Sequence, residues 1–287
     1  MSAWLPSAPC TPQSCAQTEG ALTGAPRAVL RLLALVCVTA LGVALTPLVG
    51  RCPSRVRDAL VRRWCRGVVR TVGVRVRITG AVVPAGGVLV VANHISWLDI
   101  PLTAVARPAR MLAKREVRSW PVAGPIAKRG GTLFIERDRL RALPDIVARI
   151  ADALRAGAAV VAFPEGSTWC GRAQGPFRRA VFQAALDAGV PVQPVRISYR
   201  TAGGALSTAP AFVGDDPLLA SLWRIAMARG VVAEMEVLPV IVSGSHPHRK
   251  SLAEAAETVI VRGGGFGDGP RIPHPMPGGD RVAARAA

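Results

Sequence analysis

The chain has 287 residues, half of them apolar, and 36 Lys and Arg side chains against 18 Asp and Glu give it a formal net charge of +18. Its 29 glycines and 24 prolines are too few for a collagen-like or wholly disordered chain, so we expect a buried core. The excess of positive charge predicts an anionic partner, which is nucleic acid, membrane lipid or a phosphorylated substrate.

The cysteines are scattered along the chain, without a close CxxC pair or a histidine at zinc-finger spacing. They are Cys10, Cys15, Cys37, Cys52, Cys65 and Cys170. This pattern predicts neither a disulfide framework nor a structural zinc site. We therefore expect no metal ion in the protein.

The N-terminal part contains a long apolar segment. Residues 1–27 show no helical or strand periodicity and are predicted to be a disordered leader. Residues 32–50 carry no charge, which is enough to cross a hydrocarbon core of about 30 Å. Gly42 and Pro47 interrupt the run, so a helix that enters the membrane and turns back, or lies at the interface, competes with a full crossing.

A basic segment follows, with seven arginines against the single acid Asp58 over residues 51–70. Val56, Leu60, Trp64 and Val68 recur every four residues, which predicts an amphipathic helix on an anionic lipid surface. A basic helix that packs on its own domain is the alternative. We assign residues 28–72 to a membrane-associated region, and the arginines place the following domain on the cytoplasmic face.

Residues 73–262 alternate β-rich runs with helical stretches, which predicts an α/β domain with a central sheet flanked by helices. The predicted strands are 74–79, 87–93, 131–136, 158–164, 190–198 and 235–243. The predicted helices are 140–156, 177–188, 217–229 and 251–261. Residues 263–287 are rich in Gly, Pro and Arg and are predicted to be a disordered tail.

The segment NHISWLD, residues 93–99, directly follows an apolar strand, where open α/β sheets place their ligands. His94 is expected to precede a helix whose first turn contains Asp99, so that the carboxylate holds one imidazole nitrogen and the other acts as a general base. The alternative is a capping box, with Ser96 as the N-cap and Asp99 folded back onto it.

A second segment, FPEGST at residues 163–168, also follows an apolar strand. Glu165 and Gly166 form a tight turn, and the amides of Gly166, Ser167 and Thr168 can cradle an anion or hydroxyl. An ordinary turn between strand and helix is the alternative. The GxSxG pattern of serine hydrolases is absent, which argues against Ser167 as a nucleophile.

Two cations follow other apolar stretches. Arg137 ends the strand GTLFIER, and its planar fork suits a phosphate or carboxylate. Lys114 lies in MLAKREV and adds a second cation. For either residue alone, a solvated surface charge is the alternative.

The chain resembles the PlsC-like glycerolipid acyltransferases, typified by 1-acyl-sn-glycerol-3-phosphate acyltransferases. Four blocks in this order carry the resemblance: NHISWLD, GTLFIER, FPEGST and VPVQPV. The resemblance spans about residues 74–200. It implies a sandwich with a central mixed sheet flanked by helices, preceded by a membrane-associated helical segment. It also implies transfer of an acyl group from acyl-CoA or acyl carrier protein to the hydroxyl of a lysophospholipid, with no other cofactor.

On this resemblance His94 is the catalytic base and Asp99 orients it. The residues that would bind the acceptor are Lys114, Arg137, Glu165, Gly166 and Ser167. Pro191 would belong to the acyl-donor surface. The expected acceptor is 1-acyl-sn-glycerol-3-phosphate, giving phosphatidic acid.

The third block departs from the family pattern FPEGTR, because Thr168 stands where the arginine would be. The variant resembles the branch that contains lyso-ornithine lipid acyltransferases, whose acceptor head group has no phosphate. Arg172, Arg178 or Arg179 would otherwise replace the missing cation. A lyso-ornithine lipid is therefore the alternative acceptor.

Two other classes of protein remain as alternatives. A non-enzymatic binder of nucleic acid or anionic lipid would explain the charge, but the sequence has no helix-turn-helix, RRM or finger pattern, so we expect no nucleic-acid partner. A metal-dependent hydrolase using His94, Asp99 and Glu165 lacks a clear second imidazole, since the other histidines are near the C-terminus: His246, His248 and His274.

Overall fold

The computed structural model describes residues 8–17, 21–120, 123–136 and 139–262. The helices are α1 Pro12–Cys15, α2 Ala25–Arg51, α3 Ser54–Thr71, α4 Asp99–Ala106, α5 Ala123–Arg129, α6 Leu143–Arg155, α7 Ala180–Ala188, α8 Leu218–Met227 and α9 Arg249–Arg262. The strands are β1 Arg75–Gly80, β2 Val88–Ala92, β3 Arg110–Lys114, β4 Leu133–Ile135, β5 Ala159–Ala162, β6 Val192–Arg200 and β7 Val232–Val237. The predicted disordered tail, 263–287, lies outside the described residues.

The strands form one seven-stranded sheet in the order β1-β7-β6-β2-β5-β3-β4. Among the strands of the described residues, only β6 and β7 pair in antiparallel fashion, and the other neighbours are parallel. Every residue of β2 and β5 is buried, as expected for central strands covered on both faces. The sheet is mixed and flanked by helices, which confirms the predicted fold class.

Two layers of helices cover the sheet. On one face α3, α4 and α8 contribute Val69, Leu102 and Ile225 to a core with alternate residues of β2. On the other face α6, α7 and α9 contribute a second set, which includes Ile150, Phe182 and Ile260. Alternation of side chains along each strand divides the apolar residues between the two cores.

The elements match the sequence prediction with local differences. The strand predicted over 235–243 is β7, which lies earlier and ends at Val237. Pro239 follows two residues later and has no N–H to donate to a sheet ladder. Strand β3 was not among the predicted strands, because its pattern of charged and apolar residues is too short to show a period.

The prediction of a disordered leader over residues 1–27 is wrong for the described part of that segment. Cys10 is buried, and the backbone N–H of Gln17 donates to Thr208 Oγ1 at 3.3 Å. Thr23 N–H donates to the carbonyl of Met227 at 2.8 Å. Contacts with distant residues hold the leader in place, and local periodicity cannot reveal them.

Helices α2 and α3 form a hairpin attached to the domain at both ends. Helix α2 has a mean hydropathy of 2.5 over its most apolar window and is long enough to cross a membrane. At its start, the Arg31 guanidinium donates to the carbonyls of Ala226 and Ala228 at 2.6 and 2.9 Å. Because α3 returns directly to β1, both ends of the hairpin lie at the domain.

Gly42 and Pro47 do not interrupt α2, which is continuous through both. Gly42 has a different role, because a Cβ atom there would overlap the indole ring of Trp64. The missing side chain lets Trp64 of α3 lie against α2 and donate to the carbonyl of Val38 at 2.9 Å. The hairpin therefore depends on a small residue in α2 facing an aromatic residue in α3.

Candidate active site

Four parallel strands end at the same edge of the sheet and gather most of the predicted site. His94 follows β2, Glu165 follows β5, and Lys114 is the last residue of β3. Lys114 is in register with Ile135 at the end of β4. Arg137, which follows β4, lies outside the described residues. The order of the strands brings together blocks that are far apart in the sequence.

His94 and Asp99 form a hydrogen-bonded pair at this edge. His94 Nδ1 lies 2.8 Å from Asp99 Oδ2, so the carboxylate accepts the Nδ1 proton and Nε2 is the nitrogen that it does not hold. Asp99 is the first residue of α4, as the sequence predicted. The His94 side chain is 19% exposed, whereas Asp99 is completely buried. A buried carboxylate thus orients an imidazole that a substrate can reach.

The capping box predicted as the alternative is present only in part, because Leu98 rather than Ser96 is the N-cap of α4 and no described side chain caps this helix. Asp99 Oδ2 accepts the N–H of Ile95 at 2.6 Å and of Ser96 at 2.8 Å. Ser96 Oγ accepts the N–H of Leu98 at 3.2 Å. The same carboxylate oxygen therefore orients His94 and fixes the loop that precedes α4.

The second oxygen of Asp99 is held by Tyr199 of β6. Tyr199 Oη donates to Asp99 Oδ1 at 2.6 Å, and the tyrosine is fully buried. Burial, reinforced by the negative charge of Asp99, raises the pKa of Tyr199 well above its usual range. The phenol therefore remains a hydrogen-bond donor to the carboxylate.

The FPEGST loop holds His94 from the other side. The ring of Phe163 stacks on the imidazole, with ring centroids 4.0 Å apart. Glu165 Oε2 accepts the backbone N–H of His94 at 2.6 Å. The N–H of Trp169 donates to the carbonyl of His94 at 2.7 Å. Both peptide groups of the histidine are fixed by the loop, so its backbone has little freedom.

Glu165 is buried beside His94 and contacts backbone groups of two loops. It is 3% exposed, and its Oε1 accepts the N–H of Gly175 at 3.1 Å. Burial raises the pKa of Glu165 well above its usual range, while the two backbone donors oppose that shift. Each of its oxygens accepts one backbone N–H, which holds His94 in place, and the contact of Glu165 with the acceptor stays a prediction.

The turn after Glu165 adopts the predicted conformation. Gly166 has a φ of +77°, which favours glycine. Ser167 Oγ is buried without a hydrogen-bond partner among the described residues. Thr168, at the position where the family usually has arginine, donates its hydroxyl to the carbonyl of Phe212. It therefore holds the neighbouring loop.

Pro191 immediately precedes β6, at the opposite end of the parallel strands from His94. Its carbonyl accepts the N–H of Leu89 at the start of β2, at 3.1 Å. Leu89 lies near the start of β2, whereas His94 lies two residues beyond its end. The five-residue step between them corresponds to about 16 Å if the chain is extended throughout. Pro191 is therefore remote from the imidazole.

The chain is similar to known proteins. An acyltransferase family profile matches residues 74–198. A lyso-ornithine lipid O-acyltransferase of Pseudomonas aeruginosa is 38% identical over 245 residues, which cover 82% of this chain and 92% of the relative. The chain belongs to the PlsC-like acyltransferase family.

Two further comparisons agree with this assignment. A 1-acyl-sn-glycerol-3-phosphate acyltransferase of Neisseria meningitidis is 33% identical to this acyltransferase, covering 74% of the chain and 82% of the relative. The crystal structure of PlsC, the LPA acyltransferase of Thermotoga maritima, has the same fold. Its TM-score is 0.64 at 18% identity, covering 83% of this chain and 95% of that one. Membership of this enzyme family argues against the non-enzymatic binder.

Two residues of the acyltransferase site were not predicted from the sequence. Tyr199 is the last residue but one of β6 and has no motif of its own. Asn93 was part of a motif but had no assigned role. Its side chain donates to the carbonyl of Ile197 and accepts the N–H of Ile197, both at 2.8 Å. Asn93 directly follows the last residue of β2. Its two side-chain hydrogen bonds therefore hold the start of the His94 loop against β6.

Tyr199→Phe tests the support of Asp99 from β6. The substitution leaves a buried carboxylate oxygen without its donor, and we expect a loss of about 1–3 kcal/mol in the free energy of unfolding. We expect less than about a tenfold loss of activity, because three donors still hold Asp99 Oδ2. Denaturant unfolding of the detergent-solubilised protein measures the first effect. Unchanged unfolding would show that the bond does not contribute to stability.

Arginines of α3 line a cavity next to α4. A cavity of about 640 Å³ lies between α3 and Val105 of α4, and its lining includes Arg55, Arg62, Arg63 and Arg66. Val105 is near the C-terminal end of α4, whereas His94 precedes its N-terminal end. The inner part of α3 packs on the domain through Val68 and Val69. Helix α3 therefore packs on its own domain, as the alternative prediction expects, and its contact with lipid stays a prediction.

Proposed function

We propose that this acyltransferase moves a fatty acyl group from the thioester of acyl-CoA or acyl carrier protein to the free hydroxyl of a lysolipid. The single observation that carries the proposal is the 2.8 Å contact between His94 Nδ1 and the buried carboxylate of Asp99. This geometry prepares Nε2 to accept a proton from a bound hydroxyl.

In the proposed reaction, His94 Nε2 removes the proton of the acceptor hydroxyl as its oxygen attacks the thioester carbonyl carbon. The tetrahedral intermediate then collapses, the C–S bond breaks, and the thiolate takes the proton from the imidazolium. The products are an ester and a free thiol, and no acyl-enzyme forms. The negative charge of Asp99 stabilises the imidazolium between these two steps.

Glu165, Tyr199 and Asn93 are positioning residues in this proposal. Glu165 fixes the backbone of His94, Tyr199 fixes the carboxylate of Asp99, and Asn93 ties their loop to β6. Precise placement of the base matters because proton transfer requires hydrogen-bond distance to the reacting hydroxyl.

We propose a lyso-ornithine lipid as the acceptor. The family's usual arginine is replaced by Thr168, whose hydroxyl donates to Phe212, so this position supplies no positive charge for a phosphate. The Pseudomonas aeruginosa relative, at 38% identity, is named for the same acceptor. Percentage identity alone does not distinguish the acceptors, because two relatives that are each 33% identical differ in this respect. The relative in Rhodobacter capsulatus is named for a lyso-ornithine lipid, and the relative in Neisseria meningitidis is named for 1-acyl-sn-glycerol-3-phosphate.

A phosphate acceptor, 1-acyl-sn-glycerol-3-phosphate, is the second candidate. The observation that favours it is the placement of Arg178, whose N–H donates to the carbonyl of Pro164 at 2.8 Å. Its side chain is exposed beside the FPEG turn. From there it can replace the charge missing at position 168.

Parallel assays with the two acceptors distinguish the candidates. We expect kcat/KM for the lyso-ornithine lipid to exceed that for 1-acyl-sn-glycerol-3-phosphate by more than about tenfold, since a phosphate without a charged partner is costly to desolvate. Thr168→Arg should shift the ratio towards the phosphate acceptor. Thr79→Arg, on the exposed edge strand β1, is the matched control. A higher kcat/KM for the phosphate acceptor in the unmodified protein would favour the second candidate.

We also propose that the domain lies on the cytoplasmic face, as the arginines of α3 indicate. The exposed apolar side chains of α2, such as Leu33 and Leu48, would enter the lipid. The arginines around the α3 cavity would contact anionic head groups at the membrane surface.

A further inference from the structure

The fold brings three cysteines together that the sequence keeps apart. The sulfur atoms of Cys10, Cys15 and Cys170 all lie within 4.8 Å of one another. Cys10 and Cys170 are 6% and 4% exposed, Cys15 is half-buried, and all three are free thiols. Cys10 and Cys15 belong to the leader, whereas Cys170 belongs to the loop that fixes His94.

Backbone N–H groups are directed at two of the sulfurs. The N–H groups of Arg172 and Ala173 donate to the sulfur of Cys170, and the N–H of Cys170 donates to the sulfur of Cys10. Gly171 has a φ of +85°, which allows the chain to turn back around Cys170. Hydrogen bonds of this kind orient and tune the ligands of metal sites.

We propose that Cys10, Cys15 and Cys170 bind a zinc ion as three thiolate ligands. Thiolates select soft or borderline metals such as Zn²⁺. Three sulfurs on one zinc are about 3.8 Å apart, given Zn–S bonds of about 2.3 Å and a tetrahedral angle. The cluster reaches this arrangement by small side-chain movements. The fourth position is then taken by water or an external thiol, as in zinc sites with three protein ligands.

The site goes beyond acyl transfer, because it ties the leader to the active-site loop. Cys170 directly follows Trp169, whose N–H donates to the carbonyl of His94. On the proposed cytoplasmic face thiols remain reduced, which favours metal binding over a disulfide. The prediction of no metal site was based on the spacing of the cysteines along the sequence. That spacing does not show that the leader contacts this loop.

Metal analysis of the full-length protein tests the proposal. We would purify it in detergent without oxygen or chelator and measure zinc by elemental mass spectrometry. We would then remove the metal and titrate with Co²⁺. We expect one ion per chain and the absorption bands of tetrahedral, thiolate-bound cobalt. Cys10→Ser and Cys170→Ser should each weaken binding by more than ~100-fold, the upper range for loss of a ligand's supporting contact.

Cys15→Ser is a second test. Cys15 lies in α1, outside the catalytic loop, and its half-buried side chain is more easily replaced than the buried side chains of Cys10 and Cys170. It should also weaken cobalt binding. Cys37→Ser and Cys52→Ser, on α2 and at its C-terminal end, are matched controls that should bind as the unmodified protein does. The proposal is overturned if the thiolate bands are absent, if the three cluster variants retain full binding, or if mass spectrometry finds a disulfide within the cluster.

Discussion

Replacing His94 with alanine is expected to lower kcat for acyl transfer by about 10³–10⁴-fold, near the upper range for loss of a general base. The imidazole is the group that Asp99 orients and Phe163 stacks against. Its removal should leave the fold intact, because Glu165 and Trp169 hold the backbone of residue 94 rather than its side chain. Transfer of radiolabelled acyl groups by purified protein measures the effect.

His248→Ala is the matched control for this variant. His248 is exposed and lies immediately before α9, away from the edge that carries His94. We expect it to retain full activity. Acyl transfer by His94→Ala at the rate of the unmodified protein, with either acceptor, would refute the proposed mechanism.

Asp99→Asn should lower kcat by about 10²-fold while largely preserving stability. The N–H groups of Ile95 and Ser96 keep an acceptor oxygen in the position of Oδ2. The new amide nitrogen then faces Tyr199, whose hydroxyl can accept a hydrogen bond instead of donating one. The variant therefore removes the negative charge but keeps the shape of the site. Separate measurements of kcat, KM and thermal unfolding check these expectations.

Asp145→Asn provides the control, because Asp145 is also an acid in the first turn of a helix, here α6. It is exposed and far from His94 in the sequence, and its replacement should not change kcat. If Asp99→Asn kept full kcat, the charge of Asp99 would have no part in the reaction. If it unfolded instead, our account of its hydrogen bonds would be wrong.

Local parts of the site were predictable from the sequence. His94 and Asp99 are five residues apart at the end of an apolar strand, so the geometry of one turn brings them together. The alternation of β-rich and helical runs likewise predicted most elements of the sheet and its helices. These features depend on near neighbours, for which the pattern of residue types carries the necessary information.

The sequence by itself therefore determined the family, the apolar and basic N-terminal helices, and the pairing of His94 with Asp99. Only the tertiary structure decided that Glu165 holds the backbone of His94, 71 residues away, and that Tyr199 holds Asp99 across 100 residues. It also decided that the leader packs on the domain. Such contacts follow from strand order and from the packing of helices on the sheet, which residue patterns along one segment do not encode.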